Sequence, residues 1–227
     1  MVVRNGPPLN HTAPVKPDPS VRQGAEHLIG YLGHIATQDG VDHLIEALGH
    51  LERRFGLSSW RAVIVGPADD RAPLDALVER LDLGDRVTFT GFLPESEWRP
   101  ILAACDVGVV PDPPNSLNER STMIKVMDYM ALGLPIAAYD LPEHRVSAAE
   151  AARYAAPGHT ESLAATIAAI LRDTEAKARM GDIGRERITR SLAWEYSAAR
   201  LVAAYEELVG TRPAGQRSSL RPDSESS

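Results

Sequence analysis

Short apolar runs that stop at a glycine, a proline or an acid recur along this chain, each followed by a longer amphipathic segment. The runs are "HLIGYLG" (His27–Gly33), "RAVIVG" (Arg61–Gly66), "RVTFTG" (Arg86–Gly91), "DVGVVP" (Asp106–Pro111) and "PIAAYD" (Pro135–Asp140). They are too short and too uniformly apolar for half-exposed strands, and they read as strands buried on both faces. Between them, "VDHLIEALGHLERRF" places Val41, Leu44, Ile45, Leu48, Leu51 and Phe55 at helical spacing. Further helices are expected over Ala72–Leu81, Glu95–Ala104 and Thr122–Leu132, and three more over Thr160–Asp173, Glu175–Ser191 and Trp194–Val209. A sixth, very short strand is expected near Arg153–Ala155. Strand–helix alternation with short loops means a parallel sheet with right-handed crossovers. The fold class is α/β, a Rossmann-like three-layer domain. No internal repeat of fixed period interrupts this pattern.

Composition excludes several functions. The net charge of -7 over 227 residues argues against a nucleic-acid-binding protein, which needs a basic face. No apolar run reaches the roughly 20 residues of a membrane-spanning helix. Cys105 is the sole cysteine, so no intrachain disulfide forms, and the cytosol is the simplest compartment. Residues 1–26 are proline-rich and read as an extended lead-in, residues 27–210 as the folded domain, and residues 211–227 as a disordered tail. The seven histidines show no metal-ligand spacing, no Asp-x-Asp occurs, and G-x-G-x-x-G and G-x-S-x-G are absent.

In a parallel sheet of this kind ligands sit at the carboxyl ends of the strands. Gly33 and His34 open the turn after the first strand, where a glycine lets backbone approach a ligand. An ordinary strand–helix turn is the competing reading. "FTGFLP" presents Gly91, Phe92 and Leu93, a loop suited to flank a flat base or to pack. "NERSTMIKVMDYMALGLPI" (Asn118–Ile136) is the most informative stretch. Ser121 is a good N-cap, Thr122 begins the first turn, and the free N–H groups there suit a phosphate. Lys125 and Asp128 lie three apart on one helix face; the lysine suits a diphosphate and the carboxylate a ribose diol. An intrahelical Lys125–Asp128 pair on a solvated face is the alternative. Glu143, His144 and Arg145 follow the fifth strand at the same edge as a loop, and either touch a sugar or form a loop salt bridge.

These residues resemble a known family. "YLGHIATQDGVDHLIEAL", "VTFTGFLP", the run "ACDVGVVPDPPNSLNERSTMIKVMDYMALGLPIAAYDLPEHRVSAAEAARYAAPG" and "LAWEYSAARLVAAY" together look like the carboxyl-terminal, donor-binding domain of a GT-B glycosyltransferase of family 4. The likeness runs from about Val2 to Val209, and its most specific part is K-x-x-D-Y-M-A-x-G-x-P. The resemblance implies retaining transfer from a nucleotide-diphosphate sugar, UDP- or GDP-linked, with no cofactor and no bound metal. It assigns donor binding to Gly33, His34, Gly91, Phe92, Leu93, Ser121, Thr122, Lys125 and Asp128. Of the two family glutamates eight positions apart, the second matches Asp128, expected at the ribose. The first falls at Arg120, with Glu119 beside it, and these two are the catalytic candidates. The family's first-loop Arg and Lys fall at His34 and near Asp39.

"VVRNGPPL" resembles the junction where the family's second domain begins. The expectation is therefore half an enzyme, needing an amino-terminal acceptor domain or a partner chain. The stripe Trp194, Leu201, Val202, Tyr205 and Leu208 is then expected to be partly exposed and to favour weak self-association. Any membrane contact is expected through the partner domain. The alternative is a stand-alone nucleotide-sugar-binding or regulatory module without turnover; a sugar-nucleotide epimerase of like architecture ranks third.

Overall fold

The computed structural model describes residues 3–210. The tail expected to be disordered from about Thr211 lies outside the described residues. Six strands, β1 (His27–Leu32), β2 (Trp60–Val65), β3 (Val87–Gly91), β4 (Val107–Val110), β5 (Ile136–Tyr139) and β6 (Ala152–Ala155), form one sheet in the order β3-β2-β1-β4-β5-β6. Every pairing is parallel. Helices α1 (Val41–Phe55), α2 (Ala72–Arg80), α3 (Glu95–Ala103), α4 (Ile124–Leu132), α5 (Pro142–Ala148), α6 (Thr160–Arg172), α7 (Thr174–Arg187) and α8 (Trp194–Gly210) follow the strands.

The alternation of side chains along each strand sorts the core into two faces. Ile29 and Tyr31 of β1, Val107 and Val109 of β4, and Ala137 and Tyr139 of β5 pack with α1, α2 and α6. Val110, Ile136 and Ala138 point the other way, into a cluster with Leu102 of α3 and Val126, Met127, Tyr129 and Met130 of α4. This is a helix–sheet–helix sandwich, the three-layer α/β architecture that the strand pattern implies.

The strand order reverses direction between β1 and β4. There the ladder is short, with only Ile29 facing Val107 and Gly30 facing Gly108. Tyr129 of α4 stands in the gap that follows. Its hydroxyl accepts from Leu32 N at 2.8 Å and donates to Val109 O at 3.3 Å, so it replaces ladder bonds that the parting strands cannot make. Gly108 makes room for the ring, since a Cβ there would come 2.7 Å from it. A phenol thus props the sheet open at its topological switch point.

Three boundaries differ from the sequence expectation. α4 begins at Ile124, not Thr122, and no side chain caps it; Ser121 Oγ instead donates to Leu117 O at 2.8 Å, closing the preceding turn. Residues after β5 form α5, with Pro142 in its first turn, where proline's fixed φ suits a helix start. The lead-in contains two 3-10 turns, Leu9–Thr12 and Pro19–Arg22, and is tied back by Trp194 N to Pro7 O at 2.9 Å and Arg99 Nη2 to His11 O at 2.7 Å. No helix among the described residues is long and apolar enough to cross a membrane.

Candidate donor site at the carboxyl edge

Three glycine turns meet at the carboxyl edge. Gly66 N donates to Gly91 O at 3.0 Å, and a Cβ on Gly66 would lie 1.8 Å from Gly33 O. With φ at +139° as well, only glycine fits at position 66. Beside this cluster the loops after β1 and β4 are stitched together. Asn118, buried in the second loop, donates from Nδ2 to Gln38 O at 2.9 Å and Pro113 O at 2.8 Å. The long polar approach to α4 is therefore a built turn, further fixed by Asn115 Oδ1, which accepts from Leu117 N and Asn118 N.

Lys125 lies beneath this edge rather than on a solvated face. Its ammonium donates to Asp112 at 3.0 and 3.2 Å and to Tyr31 Oη at 3.3 Å, and Asp39 stands 3.8 Å away. The ammonium also sits 4.7 Å from the centre of the Tyr31 ring, in cation–π range. Tyr31 Oη donates to His34 O at 2.8 Å, and burial, with the charge of Asp112, pushes its phenol well up from the ordinary range. A Cβ on Gly33 would come 3.6 Å from Lys125 Nζ. Gly33, Lys125 and the uncapped first turn of α4 are thus brought together.

Asp128 does not pair with Lys125. It is half-buried, where the charges of Arg99 and Glu95 on α3 reach it. Burial is the main cause that raises its carboxyl to about 7; Arg99 opposes the shift and Glu95 adds to it. The intrahelical pair considered from the sequence is absent: the Lys125 ammonium is taken up by Asp112 and Tyr31 instead.

The other sequence candidates separate. His34 is exposed and meets Asp69 at 2.7 Å. Phe92 is 76% exposed on the rim, while Leu93 turns inward against Leu28, Val63 and Val65. Glu119 and Arg120 are exposed on the loop before α4. Thr122 donates to Glu143 at 2.8 Å. Arg4 of the lead-in donates to the same Glu143 oxygen, and Ser147 reaches it at 3.1 Å. Burial works to raise the Glu143 carboxyl, but these bonds outweigh it and hold it below its usual value. His144 is buried on the inner side of α5, with Nδ1 2.9 Å from Tyr139 O and Nε2 without a partner. Burial lowers its pKa, so the ring is neutral, with Nδ1 as the donor. Among the described residues no three His, Cys, Asp or Glu side chains converge to hold a metal ion.

Sequence reasoning missed Arg4, Tyr31 and Asp112. Arg4 lies 118 positions from Thr122, and Tyr31 reads as strand core. Asp112 sits among prolines in a segment that looks like ordinary loop. Its only signal was an acid directly past the end of a buried strand.

Residues 26–173 match the model of the glycosyl transferases group 1 family. The match covers more than half of the chain, which therefore belongs to that family. A 2-deoxystreptamine glucosyltransferase of Streptomyces kanamyceticus is 30% identical over 150 residues, 65% of this chain and 38% of that protein. A 2-deoxystreptamine N-acetyl-D-glucosaminyltransferase of Streptomyces fradiae is 26% identical over 49% of this chain and 25% of its own length. The chain thus spans well under half the length of these relatives. Among solved structures, Anabaena Alr3699/HepE in complex with UDP and glucose superposes with a TM-score of 0.75 at 21% identity, over 91% of this chain and 57% of that one. The carboxyl-terminal domain of the group 1 protein LpcC from Francisella tularensis superposes at 0.66 with 18% identity, covering 83% of this chain and 99% of that domain. These likenesses define the fold: a GT-B carboxyl-terminal domain.

Proposed function

We propose that this chain binds the nucleotide-diphosphate sugar for a glycosyltransferase, and that the donor lies across the crevice where β1 and β4 part. The observation that carries the reading is the convergence, at that switch point, of the Gly33 turn, the uncapped α4 N-terminus and Lys125. Backbone N–H groups at a helix start and an ammonium are the groups that receive a diphosphate without a metal. Asp128 accepts the ribose hydroxyls, and Phe92 on the rim flanks the base; Leu93, packed inward, supports that loop instead. The solved UDP complex of Alr3699/HepE, which shares the fold, supports a uridine nucleotide. The transfer is retaining, with a second, acceptor-binding domain supplied by the same protein or a partner. Glu119 and Arg120 border the sugar. The reaction is placed in the cytoplasm, with any membrane contact made through the partner domain.

Calorimetric titration with UDP, GDP and ADP tests the donor assignment. UDP should bind, and EDTA should leave that binding unchanged. Binding by none of the three, or UDP binding lost in EDTA and restored by manganese, would refute the reading. The 227-residue chain alone should transfer little or no sugar, because one domain cannot hold both reactants in attacking geometry. Adding a matching acceptor domain should restore transfer.

A further inference from the structure

Asp112 is fully buried, and both of its oxygens accept from one group, Lys125 Nζ. An ionised carboxylate in that setting is tolerable only with a close opposite charge. Asp39 approaches the same ammonium at 3.8 Å, its other oxygen held by Ala36 N at 3.1 Å. Two carboxylates therefore share one cation, and the charge of Lys125 is compensated before any ligand arrives. The arrangement lies in an unusual place for a structural ion pair. It sits under Gly33 and the first turn of α4, beside groups suited to an anion.

We propose that Asp112 is a built-in counter-ion that stands in for the diphosphate. In the empty site it holds the Lys125 ammonium in place. When a nucleotide diphosphate binds, the ammonium is shared between Asp112 and the ligand. Asp112 is then a positioning residue that acts through Lys125. It sets the affinity for the diphosphate below what Lys125 would reach unopposed, which favours release of the spent nucleotide, a step that limits many enzymes. This inference rests on the donor reading proposed above.

The test compares UDP with uridine, which lacks the diphosphate. Asp112→Asn keeps the side chain's shape and removes its charge. By calorimetry, Asp112→Asn should bind UDP at least about fivefold tighter than the wild type, a gain in the usual range of coupling between sites. Uridine affinity should not change. Adding Lys125→Met to Asp112→Asn should remove that gain over the wild type. UDP affinity of Asp112→Asn equal to or below the wild type, or a gain that persists without Lys125, overturns the proposal while leaving the donor reading intact. A wild-type chain that binds no UDP overturns both. Should Asp112→Asn fail to fold, the wild type still decides the matter. The Lys125 side-chain 15Nζ resonance, assigned with Lys125→Arg, should move on addition of UDP and stay still with uridine; an unmoved resonance in UDP overturns the proposal.

Discussion

Helices α1 and α4 follow β1 and β4, the two strands at the switch point, yet they are built on different principles. α1 buries Leu44, Ile45, Leu48 and Leu51 against the sheet, keeps Asp42, Glu46, Glu52 and Arg53 outside, and ends in a glycine cap at Gly56. α4 buries Lys125 and Tyr129 along with Val126, Met127 and Met130, and leaves Asp128 half-buried with a raised pKa. Tyr129 bridges β1 and β4, but packing asks for neither Lys125 nor Asp128, and each costs free energy to bury. On the donor reading proposed above, those costs on α4 serve a ligand, whereas α1 is scaffold. Substitutions that strike the two helices should therefore separate stability from binding.

The largest effect should come from Lys125→Met. It leaves Asp112 buried without its ammonium, a loss of about 3–5 kcal/mol. Urea unfolding should show this, and Lys125→Met with Asp112→Leu should recover most of the stability without recovering UDP binding. A stable single mutant would mean the pair is not what holds the loops. On α1, Leu48→Ala should cost about 2–5 kcal/mol of stability from the cavity it leaves. UDP affinity of the folded fraction should not change, and a parallel loss of affinity would erase the contrast between the helices.

Tyr129→Phe leaves Leu32 N without its acceptor in the gap between β1 and β4. It should cost about 1–3 kcal/mol, read by urea unfolding, with hydrogen exchange rising at Leu32. Asp128→Ala should weaken UDP binding by about 1–3 kcal/mol, the size of a lost charged hydrogen bond, while leaving the fold intact. The pH dependence sharpens this point. The folded protein keeps the Asp128 proton up to about pH 7, whereas the unfolded chain releases it near 3.8. Stability from this group is therefore present at low pH and lost as pH rises from about 4 to about 7. Binding runs the other way if the charged form accepts the ribose: UDP affinity should fall as pH drops below about 7. Asp128→Asn should abolish both dependences, and titrations at several pH values check it. The smallest effect belongs to the exposed His34–Asp69 contact, where Asp69→Asn should change stability by less than about 1 kcal/mol.

How much of this was legible in the sequence varied by element. The strands β1 to β5, the helix α1 and the end of α4 at Leu132 stand close to where the apolar runs and helical spacing put them, because period and turn chemistry are local. The sequence of α5 reads as loop, since seven residues opening with a proline carry little periodicity. Ser121 and Thr122 look like caps, but their hydroxyls go to Leu117 O and Glu143, so the helix starts later and its first turn has no side-chain cap. Lys125 and Asp128 were identified by type and spacing, but their partners were not.

The sequence by itself determined the class of fold and the direction of the sheet, and it singled out the carboxyl edge and the α4 helix on which the proposed donor site rests. These follow from hydrophobic pattern and from the handedness of the chain, which act over a few residues. Only the tertiary structure decided that Lys125 turns inward to Asp112 and Tyr31 while Asp128 stays unpaired with it and half-buried, and that Arg4 reaches Thr122 and Glu143 from the far end of the chain. Charges choose partners by distance and by exclusion from water, and both are set by packing between segments that lie far apart along the chain.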